Sequence, residues 1–284
     1  MSELEILATG PMTTVQDAGR FGHADLGVGR SGAADADSYA LANRLLANPV
    51  GAAALEATMG GLRVRARGPV TVAVTGAPAP LRVDGRGAAP NTVLHLPDGA
   101  ELSMGVPARG LRTYLAVRGG VDVPPVLGSR STDVLAGLGP AVPAPGDLLP
   151  VGPAPTGFPP VDHAPTAPVG GPVIDLRVVL GARHDWFTGE AVDTLLSREY
   201  EVTSRSDRVG ARLTGPVLAR SRTDELPSEG MVPGSLQVPP GGEPVLFLAD
   251  HPVTGGYPVI AVVHSTHLPR AAQAAPGTRV RFRP

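Results

Sequence analysis

Four short segments hold the residues of this chain whose types and spacing could do chemistry. The first is Gly27-Val28-Gly29-Arg30-Ser31-Gly32, a glycine-rich turn leading toward a helix near Asp35. Such a turn presents backbone N–H groups that suit a phosphate or carboxylate. Arg20 and Arg30 would add charge there, and Ser31 a hydroxyl. Equally, the string fits a tight turn ahead of a capped helix. Its G-x-G-x-x-G spelling is that of dinucleotide-binding folds, but no buried strand precedes it and no βαβ pattern follows. The second segment, Ser206-Asp207-Arg208-Val209-Gly210, reads as a hairpin turn. Its arginine could be aimed at a carboxylate or phosphate by the neighbouring carboxylate. The third joins Ser228-Glu229-Gly230 to Gln237, offering an acid/base or ion-pair member and a neutral donor–acceptor. The fourth, Asp250-His251-Pro252-Val253-Thr254-Gly255-Gly256-Tyr257-Pro258, sets several polar groups at a strand end. Asp250 and His251 are a poor dyad, because adjacent residues of an extended chain point to opposite faces.

What the chain lacks narrows the chemistry further. All 24 basic residues counted as Lys plus Arg are arginine, and there is no cysteine. A Walker phosphate loop, a Schiff base, a biotinyl-lysine and a Ser-Ser-Lys amidase triad all need lysine. Thiol nucleophiles, thiolate zinc sites and Cys-ligated iron–sulfur clusters need cysteine. No Gly-x-Ser-x-Gly elbow and no H-E-x-x-H occurs, and the closely spaced His264 and His267 are a weak metal signal. We expect no metal site. Carboxylate, hydroxyl, imidazole, amide and guanidinium groups remain, with the backbone N–H.

The elements that must position these groups read as short strands between Gly and Pro turns. Runs at Leu62–Ala66, Val70–Thr75, Leu81–Val83, Thr92–Leu96, Leu111–Val117, Val173–Leu180, Tyr200–Ser204, Ala211–Leu213, Val245–Leu248, Tyr257–Val263 and Arg279–Phe282 are predicted strands. In Leu62-Arg63-Val64-Arg65-Ala66 the arginines alternate with apolar residues, the signature of a half-buried strand. Helices are few: one from Asp35 to Ala47, a second over Asp185–Leu196 and a short third over His267–Gln273. The fold class is therefore mainly β, or α+β, with few helices.

At 284 residues, 42% hydrophobic and net charge −2, the chain reads as a globular protein of one large or two ordinary domains. The mixed charge gives no nucleic-acid footprint. With no signal peptide and no 18-residue apolar run, the expectation is a cytoplasmic protein without membrane association. Eleven prolines fall between Pro140 and Pro172. They predict an N-terminal β-rich domain over 1–150, an extended linker over 151–171 and a C-terminal domain over 172–284.

Taken in order, further blocks resemble a known family. They are Thr13-Thr14-Val15-Gln16-Asp17-Ala18-Gly19-Arg20, the turn through Ser31-Gly32-Ala33-Ala34-Asp35, Ala42-Asn43-Arg44-Leu45-Leu46 and Ala54-Leu55-Glu56-Ala57-Thr58. Tyr114 to Gly120, Leu127-Gly128-Ser129-Arg130-Ser131-Thr132-Asp133, the Ser-Asp-Arg turn, Ser228-Glu229-Gly230 and Thr254 to Pro258 follow. The pattern, from about Pro11 to Phe282, resembles the KipA/PxpC family, also known as the biotin-dependent carboxyltransferase family and as the family of the second allophanate hydrolase subunit. Val253 and Val209 depart from it, where Thr and Met are more usual.

The resemblance implies two cyclophilin-like β-barrel domains. It implies the PxpC component of an ATP-dependent 5-oxoprolinase that converts 5-oxo-L-proline to L-glutamate, inactive alone. The implied partners are a KipI-like protein (PxpB) and a LamB/YcsF-like protein (PxpA). ATP is then a co-substrate of the complex, and biotin cannot be carried on this lysine-free chain. Alternatives are half of a biotin-dependent carboxyltransferase acting on a small amide, or a non-catalytic regulator of a KipI-like partner. On the oxoprolinase reading, Arg20, Arg208 and the turn containing Gly29, Ser31 and Gly32 would hold anionic groups. Asp207, Glu229 and Asp250 are the candidate acid/base or orienting carboxylates. Gln237 and Tyr257, beside Gly255 and Gly256, would orient substrate.

Overall fold

A computed structural model describes residues 2–159, 161–165 and 169–284. It divides into two compact units. The first holds residues up to Arg20, Asp35–Thr132 and Gly137–Val169; the second holds Phe21–Ala34, Asp133–Ala136 and Gly170–Pro284. Two pieces of the N-terminal half thus belong to the second unit.

The first unit contains β1 (Glu3–Thr9), β2 (Met12–Gln16), α1 (Ala36–Leu45), β3 (Ala54–Thr58), β4 (Leu62–Arg67) and β5 (Val70–Gly76). These are followed by β6 (Leu81–Val83), β7 (Arg86–Ala88), β8 (Val93–Leu96), β9 (Glu101–Met104), β10 (Arg112–Val117) and β11 (Leu148–Pro150). One sheet runs β11-β1-β4-β9-β6-β7 and the other β2-β3-β10-β5-β8. Their apolar faces share one core, with Leu4, Ile6 and Val64 from the first sheet and Leu55, Val72 and Leu115 from the second. The alternation in β4 does what it predicts: Leu62, Val64 and Ala66 are fully buried. Arg63, Arg65 and Arg67 face outward and pair with Glu5 and Glu101. Every residue of β10 is buried instead, because it is central in its sheet and α1 packs on its other face. Asp35 caps α1 by accepting from the Ser38 N–H.

The proline-rich segment lies along this unit. Val151 bridges Val121, the Val93 N–H donates to Asp162 O at 2.7 Å, and Ala164 N–H to Asn91 O at 2.9 Å. Arg118 donates to the carbonyls of Pro155 and Gly157 and stacks 3.5 Å from the Phe158 ring. Residues 160 and 166–168 of the expected linker lie outside the described residues.

The second unit contains β12 (Val173–Leu180), α2 (Gly189–Ser197), β13 (Glu199–Val202), β14 (Gly210–Thr214), β15 (Glu229–Gly230) and β16 (Ser235–Gln237). It continues with β17 (Val245–Phe247), β18 (Thr254–Gly255), β19 (Val259–Val263), α3 (Leu268–Ala272) and β20 (Arg279–Arg283). Seven strands close a barrel in the order β12-β19-β16-β17-β14-β13-β20, which returns to β12 through a parallel pairing. Leu176, Val202, Leu213, Leu236, Leu246, Ile260 and Phe282 belong to its core. The helix expected over Asp185–Leu196 is broken. A single 3-10 turn at His184–Trp186 ends at an extended Phe187, and Thr188 then caps α2. The strand expected from Tyr257 starts only at Val259, after Pro258.

A second, smaller apolar cluster explains where the polar residues gather. Strand alternation sends Leu236, Leu246 and Ile260 inward, so their neighbours Gln237, Phe247 and Val259 face out. Met231 packs with Phe247 and Val259 on this outer wall of β17, β16 and β19. The two-stranded ribbon β15–β18, in which Glu229 pairs with Gly255, joins Met231 directly.

Candidate functional site

The sequence-predicted residues of the second unit fall into two groups. In the first, Asp250 and Arg208 form a buried, two-pronged ion pair. Arg208 Nε donates to Asp250 Oδ2 and Nη2 to Oδ1, each at 2.9 Å. The side chains are 4% and 0% exposed. Asp250 also accepts from the Ser31 hydroxyl at 2.7 Å and the Val134 N–H at 3.1 Å. Arg208 Nη2 reaches the carbonyl of Gly32 at 2.6 Å. The glycine-rich turn therefore meets the barrel through a carbonyl and a hydroxyl. Ser31 and Gly32 both take left-handed backbone angles, φ 51° and 94°, which aim these two groups. A Cβ on Gly29 would sit 3.3 Å from the His251 carbonyl, so the turn passes close to that segment.

The hairpin between β13 and β14 sets Arg208. Asp207 is exposed, and its Oδ1 accepts from the N–H groups of Val209 and Gly210 at 2.8 and 3.0 Å. That is an Asx turn, and it fixes the backbone that places Arg208. Asp207 and Arg208 thus point to different tasks. Asp250 and His251 also diverge: the imidazole stacks on Phe247, ring centroids 6.1 Å apart, with Nδ1 2.8 Å from Pro252 O. Burial is the main cause that pulls the His251 pKa down from its ordinary 6.5, so the ring is held neutral.

The second group lines the outer wall. Gln237 Nε2 donates to the Tyr257 carbonyl at 3.2 Å, and the amide lies over Gly255. A Cβ on Gly255 would come within 2.5 Å of Gln237 Nε2 and 3.2 Å of Met231 Cγ. A side chain at Gly255 would therefore push the Gln237 amide aside and crowd Met231. Its neighbour Gly256 is open on that side: a Cβ there would come no closer than 3.8 Å, to the Leu226 carbonyl. Across the ribbon, Glu229 accepts from Arg183 Nε at 2.8 Å and from its Nη2. The hydrogen bonds from Arg183 hold the Glu229 carboxyl below its ordinary range, so it stays a carboxylate. Tyr257 is 44% exposed, with Arg220 5.8 Å from its ring centroid. Arg183, Arg220 and Met231 were absent from the sequence-based set. Arg183 is 46 residues from the Glu229 it pairs with and Arg220 is 18 from the Val238 carbonyl it holds, so only barrel closure reveals them, whereas Met231 follows Gly230 directly.

Arg20 belongs elsewhere. It lies in the first unit, where Nη2 donates to Ser131 O at 2.5 Å. Beside it Asp17 accepts from both Ser129 and Ser131 hydroxyls at 2.6 Å, and from the N–H groups of Gly19 and Arg130. The Gln16-Asp17 and Ser129-Arg130-Ser131 blocks are thus two halves of one lock. A second buried network joins Tyr114 to Glu56 at 2.7 Å and to the Asp35 N–H at 2.8 Å. Burial, then Glu56, raises the Tyr114 pKa well above the usual value, so it remains a neutral hydroxyl. Among the described residues no group of three or more His, Asp or Glu is placed to hold a metal ion. Nor is any described helix long and apolar enough to cross a membrane.

Comparison with known proteins follows this architecture. Residues 26–284 match the family model "Carboxyltransferase domain, subdomain A and B", and the chain belongs to that family. It is 35% identical over 282 residues to the C subunit of 5-oxoprolinase from Escherichia coli (strain K12), covering 98% of this chain and 90% of that protein. It is 33% identical to urea amidolyase of Lachancea kluyveri, where the match spans 99% of this chain but 17% of the relative. Among solved structures, TTHA0988 superposes with a TM-score of 0.91 at 35% identity, and K. lactis urea amidolyase with 0.92 at 30%. The chain covers 56% of the TTHA0988 chain and 18% of the urea amidolyase chain.

Proposed function

We propose that this chain is the PxpC component of an ATP-dependent 5-oxoprolinase that converts 5-oxo-L-proline to L-glutamate. The observation that carries the reading is the match to the E. coli 5-oxoprolinase component along nearly the whole length of both chains. Urea amidolyase, by contrast, is matched over a small part of a much longer protein. The KipI-like and LamB/YcsF-like proteins are then its partners, and ATP the co-substrate of the assembly.

The outer wall of the second unit supplies what a small amide needs. Gln237 is a donor–acceptor held in place by the Tyr257 carbonyl, and Glu229 is a partly exposed carboxylate kept ionised by Arg183. An ionised Glu229 suits accepting a hydrogen bond from a lactam N–H or a water, and it does not suit protonating a leaving nitrogen. Asp250 is enclosed by donors on both oxygens, so its role is to hold the glycine-rich turn. Asp207 sets the hairpin that delivers Arg208.

A second reading is favoured by the family model and by the urea amidolyase likeness: carboxyl transfer to or from a small amide. Biotin would then arrive on another protein, since this chain has no lysine. The deciding experiment is 5-oxoproline-dependent ADP release by the chain alone and with its KipI-like and LamB/YcsF-like partners. Turnover that needs all three proteins supports the oxoprolinase reading. An intact complex without oxoproline-dependent turnover sinks it in favour of carboxyl transfer.

A further inference from the structure

Among the described residues, Arg220 is a cation without a counter-charge. Its Nη2 donates to the Val238 carbonyl, which orients the guanidinium, while its buried Nε meets no acceptor there. No described carboxylate pairs with it, whereas Arg183, Arg208, Arg279 and Arg281 each have one. Desolvation penalises the charge, lowering its pKa. A partly buried, oriented guanidinium with no anion is an unfavourable arrangement that an incoming anion would relieve. The position is equally telling. Val238, which Arg220 holds, directly follows Gln237, whose amide is bonded to the carbonyl of Tyr257. The half-exposed Tyr257 ring stands beside the guanidinium.

We propose that Arg220, flanked by Tyr257, recognises a carboxylate carried by the small amide substrate on the outer wall of the barrel. A planar guanidinium oriented through Val238 leaves its Nη N–H groups, not the buried Nε, for a carboxylate. Gln237 lies on the same wall for the amide. The substrate class is then a small amide bearing a carboxylate one ring or a few bonds away. This inference rests on the oxoprolinase reading for its activity assay, but its binding arm does not.

The test uses the chain reconstituted with both partner proteins, in wild-type, Arg220→Gln and Arg220→Lys forms. Two lactams are compared: 5-oxoproline and 2-pyrrolidinone, which lacks the carboxylate. Loss of a charge-assisted contact should raise the KM for 5-oxoproline by about 10- to 100-fold in Arg220→Gln. The change in kcat should stay small, the KM for 2-pyrrolidinone should not move, and Arg220→Lys should recover part of the loss. An unchanged KM for 5-oxoproline, or equal losses for both lactams, overturns the proposal. If the assembly shows no oxoproline-dependent turnover, calorimetric titration of the same complexes with 5-oxoproline decides. Binding lost in Arg220→Gln keeps the carboxylate site while the oxoprolinase reading falls; no binding by the wild type, or equal binding by both, removes the site.

Discussion

Replacing Asp250 by Asn tests whether the latch is what holds the glycine-rich turn. The ion pair with Arg208 is almost wholly buried, with two contacts of 2.9 Å. At that separation and an effective dielectric near 20 the Coulomb attraction is about 6 kcal/mol, much of it offset by desolvation. Asparagine keeps the shape, yet it takes away the carboxylate charge that faces the buried Arg208. Breaking a buried pair from one side costs about 3–5 kcal/mol, and Arg208→Met should cost a similar amount. The double variant Asp250→Leu with Arg208→Met removes both charges, so its cost should fall well below the sum of the singles. Urea unfolding of the wild type, Asp250→Leu, Arg208→Met and the double variant gives the cycle. Hydrogen exchange of the Gly32 to Ala34 and Val134 amides should accelerate in the single variants, because those segments lose their anchor. Single costs below about 1 kcal/mol, the range of an exposed pair, or an additive double variant would refute the reasoning.

Three other outcomes follow from the same contacts. Burial lowers the His251 pKa, so the unfolded chain binds a proton near pH 6.5 that the folded chain refuses. Stability is therefore full above pH 6.5 and declines as pH falls toward the depressed value; His251→Phe, which keeps the stack on Phe247, should flatten that decline in urea melts at about pH 7.5 and 5.5. Gly255→Ala should drive the Gln237 amide off the Tyr257 carbonyl and cut turnover of the reconstituted complex while leaving barrel unfolding little changed; wild-type kinetics would show that the Gln237 position is irrelevant. The Tyr200 hydroxyl is buried without a partner among the described residues and its pKa is pushed up to about 12, so Tyr200→Phe should be neutral or stabilising by up to about 1 kcal/mol, and a loss of more than about 1 kcal/mol would reveal an unseen partner.

The strands were legible because their signal is local. Leu81–Val83 and Val173–Leu180 were placed to the residue, and the Arg/apolar alternation of β4 gave both its faces. Strands β1, β2, β7, β9, β11 and β16 were not anticipated, even though β1 and β9 alternate in burial, and β3, β15 and β18 lacked local contrast as well. The all-but-buried β3 (Ala54–Thr58) reads equally as part of a helix, and β15 and β18 have two residues each. The glycine-rich turn shows a deeper gap. Its sequence suggests N–H groups aimed at an anion, yet its conformation is set by Asp250, 219 residues away, which takes the Ser31 hydroxyl. Residue types at short range could name Ser31, Arg208 and Asp250 as important, but not that they serve one another.

That mutual pairing also bears on where chemistry can occur. A charged side chain that is fully satisfied by the protein has little left to offer a substrate, so burial and pairing together sort the candidates. Asp250 and Arg208 spend their charges on each other, and Asp17 spends its own on two serines and two backbone N–H groups. Glu229 is different: it is ionised, partly exposed and approached by its arginine on one oxygen, Oε1. Arg220 is different in the opposite sense, a cation given orientation but no anion among the described residues. Both lie in the unit that holds Gln237 and Tyr257, a carboxylate and a guanidinium each left with hydrogen-bonding capacity for a ligand. If Arg183→Gln, which releases Glu229, left 5-oxoproline turnover intact while Arg220→Gln abolished binding, the wall would be a recognition surface and the reacting groups would have to come from a partner protein.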